Sequence, residues 1–191
     1  MASMANVDPL LRRNKDFAAG GAYEGVSIVA KHRVYVITCL DPRTDPSAFL
    51  ELELGDAMVI RNAGGRVSPD VVKDLAYICY LSNTLVPGGP RFEVAVVHHN
   101  QCGTHFLADE TFRRGFADLI GGDDAALASE AVVDPEQTVR FGVQLLRSAS
   151  VLPDTITISG HVYDVTTGLV STIVSAAPMY SRTSTVKPNE E

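Results

Sequence analysis

Two runs of apolar, largely β-branched residues, each ending in groups that can bind a metal, constrain this chain more than any other feature. Val34-Tyr35-Val36-Ile37 leads into Thr38-Cys39-Leu40-Asp41-Pro42-Arg43, and Phe92-Glu93-Val94-Ala95-Val96-Val97 leads into His98-His99-Asn100-Gln101-Cys102-Gly103. Such runs read as buried strands. Segments of helical periodicity alternate with them. Ser68-Pro69 caps one in which Val72, Leu75, Ala76 and Cys79 recur at i, i+3, i+4 and i+7, and Asp134-Pro135-Glu136-Gln137 resembles a capping box ahead of Val139, Val143 and Leu146. Strands alternating with helices imply an α/β fold whose central sheet is mostly parallel and flanked by helices. In such sheets ligands bind beyond the carboxyl ends of the strands. Cys39, Asp41, His99, Cys102 and the loop 62–65 are therefore expected to share one cavity.

The other elements follow from local signals. Asp8 as N-cap with Pro9 at the first helical position, and Gly20-Gly21 as the stop, bracket a helix over 8–19 that reads on its own as a surface helix of its domain. A short helix is expected over 46–54, a strand over 57–61 ending in Asn62-Ala63-Gly64-Gly65, and a helix over 111–120. Residues 155–164 alternate as a strand, Thr166-Thr167-Gly168 turns, and 169–174 returns as an antiparallel hairpin. Cys79 falls on an apolar helix face and reads as a small buried hydrophobe.

A chain of 191 residues supports one good-sized core, so residues 1–191 are read as a single domain, with 1–7 and 178–191 flexible or lying on a partner subunit. A hydrophobic content of 46% excludes disorder for the bulk of it. The net charge of -7 argues against nucleic acid or an anionic membrane as partner, since both select basic patches. Three cysteines without tight spacing fit a reducing compartment. Arg12-Arg13 is followed by Asn14, Lys15 and Asp16 instead of an apolar stretch, and no run approaches membrane-spanning length. A cytoplasmic protein is expected.

Two thiols and an imidazole are the usual protein ligands of a catalytic zinc ion, which keeps its fourth position open, whereas a structural zinc takes four protein ligands. Cys39, Cys102 and one histidine supply that set. Neighbours on a strand face opposite sides, so His98 and His99 cannot both reach the metal, and the two-residue spacing to Cys102 favours His99. Two thiolates leave a bound water less acidic than three imidazoles would, so activity is expected to rise toward alkaline pH. Asp41 is close enough to accept a hydrogen bond from that water or to ligate zinc itself, and Arg43 can hold its carboxylate back.

The sequence resembles the β-class carbonic anhydrases. The resemblance is carried by Cys39-Leu40-Asp41-Pro42-Arg43, by Gly55-Asp56-Ala57-Met58-Val59-Ile60-Arg61-Asn62-Ala63-Gly64-Gly65, by His98-His99-Asn100-Gln101-Cys102-Gly103, and by Gly160-His161-Val162-Tyr163-Asp164. It implies one Zn²⁺ per chain on Cys39, His99 and Cys102, an Asp41–Arg43 catalytic dyad, and a substrate pocket lined by Asn62, Ala63 and Gly64. It also implies a homodimer or homotetramer, and reversible hydration of carbon dioxide to bicarbonate by zinc-bound hydroxide. In the family's pattern the helix over 8–19 lies across the partner subunit. The absence of tryptophan and the short amino-terminal arm resemble the family's compact bacterial and fungal branch, which also contains hydrolases of carbonyl sulfide and carbon disulfide that the ligands alone do not separate from carbonic anhydrases; Phe49, Tyr77 and Phe106 are the candidates for lining the access route. Thr104 stands where methionine is common in the family, and the loop 87–90 looks longer than usual. A non-catalytic zinc domain and a metal-free redox pair of Cys39 and Cys102 are the remaining alternatives.

Overall fold

Residues 6–179 are described by a computed structural model. The first apolar run forms β1 (Val34–Cys39), buried along almost its whole length because strands on both sides and helices above leave it no solvent face. β2 (Met58–Asn62) and β3 (Glu93–His99) flank it in parallel, β4 (Thr157–Tyr163) adds a fourth parallel strand, and β5 (Val170–Pro178) closes the edge antiparallel to β4. The strand order is β2-β1-β3-β4-β5. The mostly parallel sheet with its terminal antiparallel hairpin is the architecture expected from the sequence. Because four strands run the same way, Cys39, Asn62, His99 and Tyr163 all end at one edge of the sheet.

The helices are α1 (Asp8–Gly20), α2 (Pro46–Phe49), α3 (Pro69–Leu85), α4 (Glu110–Ile120), α5 (Asp124–Ser129) and α6 (Pro135–Ser148). Side-chain caps start most of them: Ser68 Oγ accepts from Val71 N, Asp109 Oδ1 from Phe112 N and Asp134 Oδ1 from Gln137 N. The apolar stripes of α3 and α6 then pack on one face of the sheet. Leu75, Val139, Val143 and Leu146 join Ile37, Val94, Val96 and Ile158 in a single core. Cys79 sits in that core as expected, and burial pushes its thiol up to about 11.

Gly160 is required for this packing. A Cβ there would run into Val139 Cγ1 of α6 and come within 2.9 Å of Val143 Cγ2, so α6 lies on β4 only because this side chain is missing. Gly160→Ala is expected to cost about 1–3 kcal/mol, seen as a lower midpoint in thermal denaturation. An unchanged midpoint would mean that α6 does not rest on this strand as closely as described.

Three boundaries depart from the sequence reading. The helix expected over 46–54 stops after one turn at Phe49, and Glu51 adopts a φ of 52°. So short a helix needs tertiary packing to persist, and Leu50 and Leu54 both stay exposed. β5 continues past residue 174 to Pro178, which pairs with Thr157, and Met179 is buried in the core. Proline is tolerated there because an edge strand does not need its N–H. Of the segment expected to be flexible or partner-bound, Pro178 and Met179 are thus held by this chain, while 180–191 and 1–5 lie outside the described residues. At the other end Val7, not Asp8, occupies the cap of α1. That helix buries none of its residues, leaving Leu10, Leu11 and Phe17 exposed. Among the described residues no helix is long and apolar enough to cross a membrane.

Candidate metal centre

Cys39 ends β1, His99 ends β3, and Cys102 follows three residues later across a tight turn in which Gln101 takes a φ of 54°. A non-glycine residue in the left-handed region is strained. Here it folds Cys102 back toward His99. Two contacts hold the turn from outside: Arg43 Nη2 donates to the Gln101 carbonyl (3.0 Å), and Gln101 Nε2 donates to Thr166 Oγ1 (3.2 Å). Asn100 ties the same loop to the β4–β5 turn, donating to Asp164 Oδ1 (2.8 Å) and accepting from Val165 N (2.9 Å).

The result is a buried cluster in which one ligand atom each from Cys39, His99 and Cys102 lies within 4.8 Å of the others. The two sulfurs are 3.9 Å apart, and Val132 packs against both cysteines. Neither ring nitrogen of His99 makes a hydrogen bond among the described residues, although the ring stands close enough to Cys39 to draw its thiol down slightly. A buried imidazole without a partner is costly. Two converging thiols and such an imidazole fit a divalent metal, and a three-ligand set leaves zinc a fourth position. The two thiols are driven apart in acidity: hydrogen bonds from Cys39 and then Thr104 draw the Cys102 thiol down, while the bond to Cys102 and burial push the Cys39 thiol up.

Asp41 and Arg43 lie on a short turn beside this cluster. Arg43 Nε and backbone N donate to Asp41 Oδ1 (3.0 and 2.9 Å), and Arg43 Nη2 donates to Oδ2 (2.7 Å). This pairing draws the Asp41 carboxyl down to about 2, so it is ionised at any working pH. Oδ1 is occupied twice and Oδ2 once, which leaves Oδ2 the freer acceptor.

Two residues that sequence reasoning missed hold this turn. Thr44, fully buried, donates from Oγ1 to the carbonyls of Cys39 (3.0 Å) and Asp41 (2.9 Å). Arg61 donates from Nε to the Cys39 carbonyl (3.0 Å), from Nη2 to the Asp41 carbonyl (2.7 Å) and from Nη1 to Asp45 Oδ2 (3.2 Å). An arginine at the carboxyl end of an otherwise apolar strand was the available signal: its charge must find partners where the strand ends.

The loop after β2 borders the same cluster. Asn62 Oδ1 accepts from Arg66 N (2.7 Å) and its Nδ2 donates to the Arg66 carbonyl (2.9 Å), so the side chain braces the loop. Ala63 is exposed, and Gly64 and Gly65 are buried beneath it. His98, on the other face of β3, is fully buried and held neutral, its pKa pushed down to about 3 by burial and then by the Arg66 guanidinium and the His99 ring. His105 Nδ1–H donates to the Cys102 carbonyl (2.6 Å), and its ring lies tilted against Phe106. His161 bonds Ser159 and Thr172 away from the cluster.

Of the three candidate access residues, Phe49 stacks on Tyr163 (ring centroids 4.4 Å apart), the β4 residue in register with His99. Phe106 is exposed beside His105. Tyr77 is remote within this chain: with Met58, Arg33 and Phe92 it lines an apolar cavity of about 370 Å³ at the amino-terminal ends of the strands, opposite the cysteines.

Residues 34–120 match the family model for carbonic anhydrase. β-Carbonic anhydrase 1 of Mycobacterium tuberculosis is 30% identical over 170 residues, covering 89% of this chain and 99% of the relative. A carbon disulfide hydrolase of an Acidianus species is 26% identical, covering 84% and 85%. Among solved structures, a carbonic anhydrase from Streptococcus mutans superposes with a TM-score of 0.74 at 31% identity, covering 90% of this chain and 99% of the other.

Proposed function

The chain belongs to the β-carbonic anhydrase family, and on that premise we propose that it is a zinc enzyme catalysing the reversible hydration of carbon dioxide to bicarbonate. The observation that carries the reading is the placement of an ionised, arginine-held Asp41 beside a buried cluster of two thiols and one imidazole. A non-catalytic zinc domain has no use for such a carboxylate.

Cys39, His99 and Cys102 would hold the ion. When bound, zinc supplies a Lewis acid that makes water a nucleophile near neutral pH. Asp41 Oδ2 accepts a hydrogen bond from the reacting water and orients it. Arg43 keeps that carboxylate ionised and turned away from the cluster. Thr44 and Arg61 hold the Cys39 and Asp41 carbonyls, fixing the distance between ligand and acceptor. Asn62 braces the loop that presents Ala63 and Gly64, small residues that leave room for a small linear substrate.

Hydrolysis of carbonyl sulfide or carbon disulfide is the second reading, favoured by the Acidianus relative, and it uses the same groups. The exposed apolar residues of α1 support a homo-oligomer in which a second copy covers them. Stopped-flow carbon dioxide hydration at about pH 8.5 on zinc-quantified protein, beside the apo form, tests the function. Fast turnover that is lost on chelation and returns with zinc is expected. A fully zinc-loaded protein that is inert toward carbon dioxide but releases hydrosulfide from carbonyl sulfide would replace the first reading with the second.

A further inference from the structure

We propose that Thr104 is a positioning residue of the metal centre, its hydroxyl donating a hydrogen bond to Cys102 Sγ and so setting the direction and electron donation of that thiolate. The inference rests on the zinc reading above. Thr104 Oγ1 lies 3.2 Å from Cys102 Sγ. A cysteine that ligates a metal is a thiolate, so in the loaded centre the hydroxyl alone of the two has a proton to give.

The surroundings keep that hydroxyl in place. Thr104 lies in the 3₁₀ turn Gly103–Ala108, which Cys102 caps. The Cys102 carbonyl accepts from His105 N (3.0 Å) and contacts His105 Nδ1 (2.6 Å), so the backbone on either side of Thr104 is pinned. Gly64 is also near, since an added Cβ there would come within 3.1 Å of Thr104 Oγ1. The hydroxyl thus lies close to both the sulfur and the loop after β2.

Each of the two sulfurs has a backbone N–H two residues on beside it, and Cys102 has a hydroxyl donor as well. Cys39 Sγ accepts from Asp41 N at 3.4 Å, a backbone donor that no substitution short of proline removes. Cys102 Sγ has the Thr104 backbone N–H beside it in the same way and takes the Thr104 hydroxyl in addition. Groups that hydrogen-bond a ligand set its orientation and basicity, and losing one typically weakens metal binding roughly 10-fold or more.

The test uses Co²⁺ in place of zinc, read by the thiolate-to-metal charge-transfer absorption, with metal affinity measured by chelator competition. A hydrogen bond lowers the sulfur lone pair in energy. Thr104→Val, which keeps the shape and removes the hydroxyl, is expected to move the band to longer wavelength and weaken binding roughly 10-fold. Thr104→Ser is expected to restore both. Should Thr104→Val not fold, Thr104→Ala removes the same donor with less bulk. A band and affinity unmoved by removal of the hydroxyl would overturn the inference alone. So would a Thr104→Ser protein that behaves like Thr104→Val, since shape and not the hydroxyl would then matter. A parent protein that takes up neither Co²⁺ nor zinc would overturn the metal centre itself, and this inference with it.

Discussion

Asp41→Asn is expected to lower kcat for carbon dioxide hydration by roughly 10²-fold or more while close to one zinc per chain remains bound. Asparagine keeps an oxygen where Asp41 Oδ1 caps its turn and accepts from Arg43 N, so the loop has no reason to unfold. What disappears is the anionic acceptor at Oδ2 and the charge that Arg43 holds. Asp41→Ala acts in the same direction with the cap lost as well. Arg43→Ala reaches a similar rate by another route. With the donors at Nε and Nη2 gone, Asp41 is free to swing onto the metal. X-ray absorption of the zinc-loaded Arg43→Ala protein should therefore show an added oxygen ligand, and the Asp41→Asn protein should not. Near-parental rates in either variant would remove the pair from the mechanism.

The pH behaviour of the parent follows from the same pair. Arg43 depresses the folded-state pKa of Asp41, so whatever the ionised pair contributes is fully present above the ordinary carboxylate range and is lost only as pH falls through about 2. A rate limb near neutrality belongs to some other group. Asp41→Asn should accordingly lower the plateau of the profile without moving that limb.

What was legible in the sequence depended on how local the signal was. The apolar runs before Cys39 and His99 identified buried strands because a parallel strand covered on both faces needs no alternation. Parallel strands end at one edge, so Cys39, His99 and Cys102 could be brought together from the sequence alone. The cap at Asp134 and the stripe Val139, Val143 and Leu146 marked α6 for the same reason: cap and period sit within a few residues of each other. Thr44, Arg61 and Val132 were not legible. Thr44 bonds carbonyls only three and five residues back, but a lone threonine in a loop carries no pattern. The other two act on segments that only the fold brings near, Arg61 reaching back to the Cys39 and Asp41 carbonyls and Val132 clustering with two cysteines distant in sequence. α5, six residues capped by Asp123, is too short to show a period. The reading of Asn62 as pocket lining did not show that its amide also closes the loop onto Arg66, a pairing four residues away that composition does not announce.

Gly65→Ala is expected to be the most damaging single methyl that can be added near the centre. Its φ of 64° already disfavours any side chain, at about 1 kcal/mol. The larger cost is steric. An added Cβ would lie 2.8 Å from Cys39 N and 2.9 Å from the Thr38 carbonyl carbon. Both are backbone atoms of β1, held in the sheet between β2 and β3, and neither can rotate aside as a side chain would. Relief requires the loop after β2 to lift or the end of β1 to move, and the end of β1 carries Cys39, one of the three residues proposed to hold zinc. A loss of about 3 kcal/mol or more is expected, near 10 °C in the thermal midpoint for a chain of this size, together with weakened zinc retention. Gly64→Ala provides the comparison. It has the same sign of φ, at 79°, but its nearest neighbours are Thr104 Oγ1 at 3.1 Å and Arg66 Cγ at 3.2 Å, both on side chains that can yield. It should cost little beyond the backbone strain. Thermal denaturation and zinc content measured on both proteins decide the matter. If Gly65→Ala proves no worse than Gly64→Ala, the loop is not pressed against β1, and the close approach that ties Ala63 and Gly64 to the metal centre does not exist.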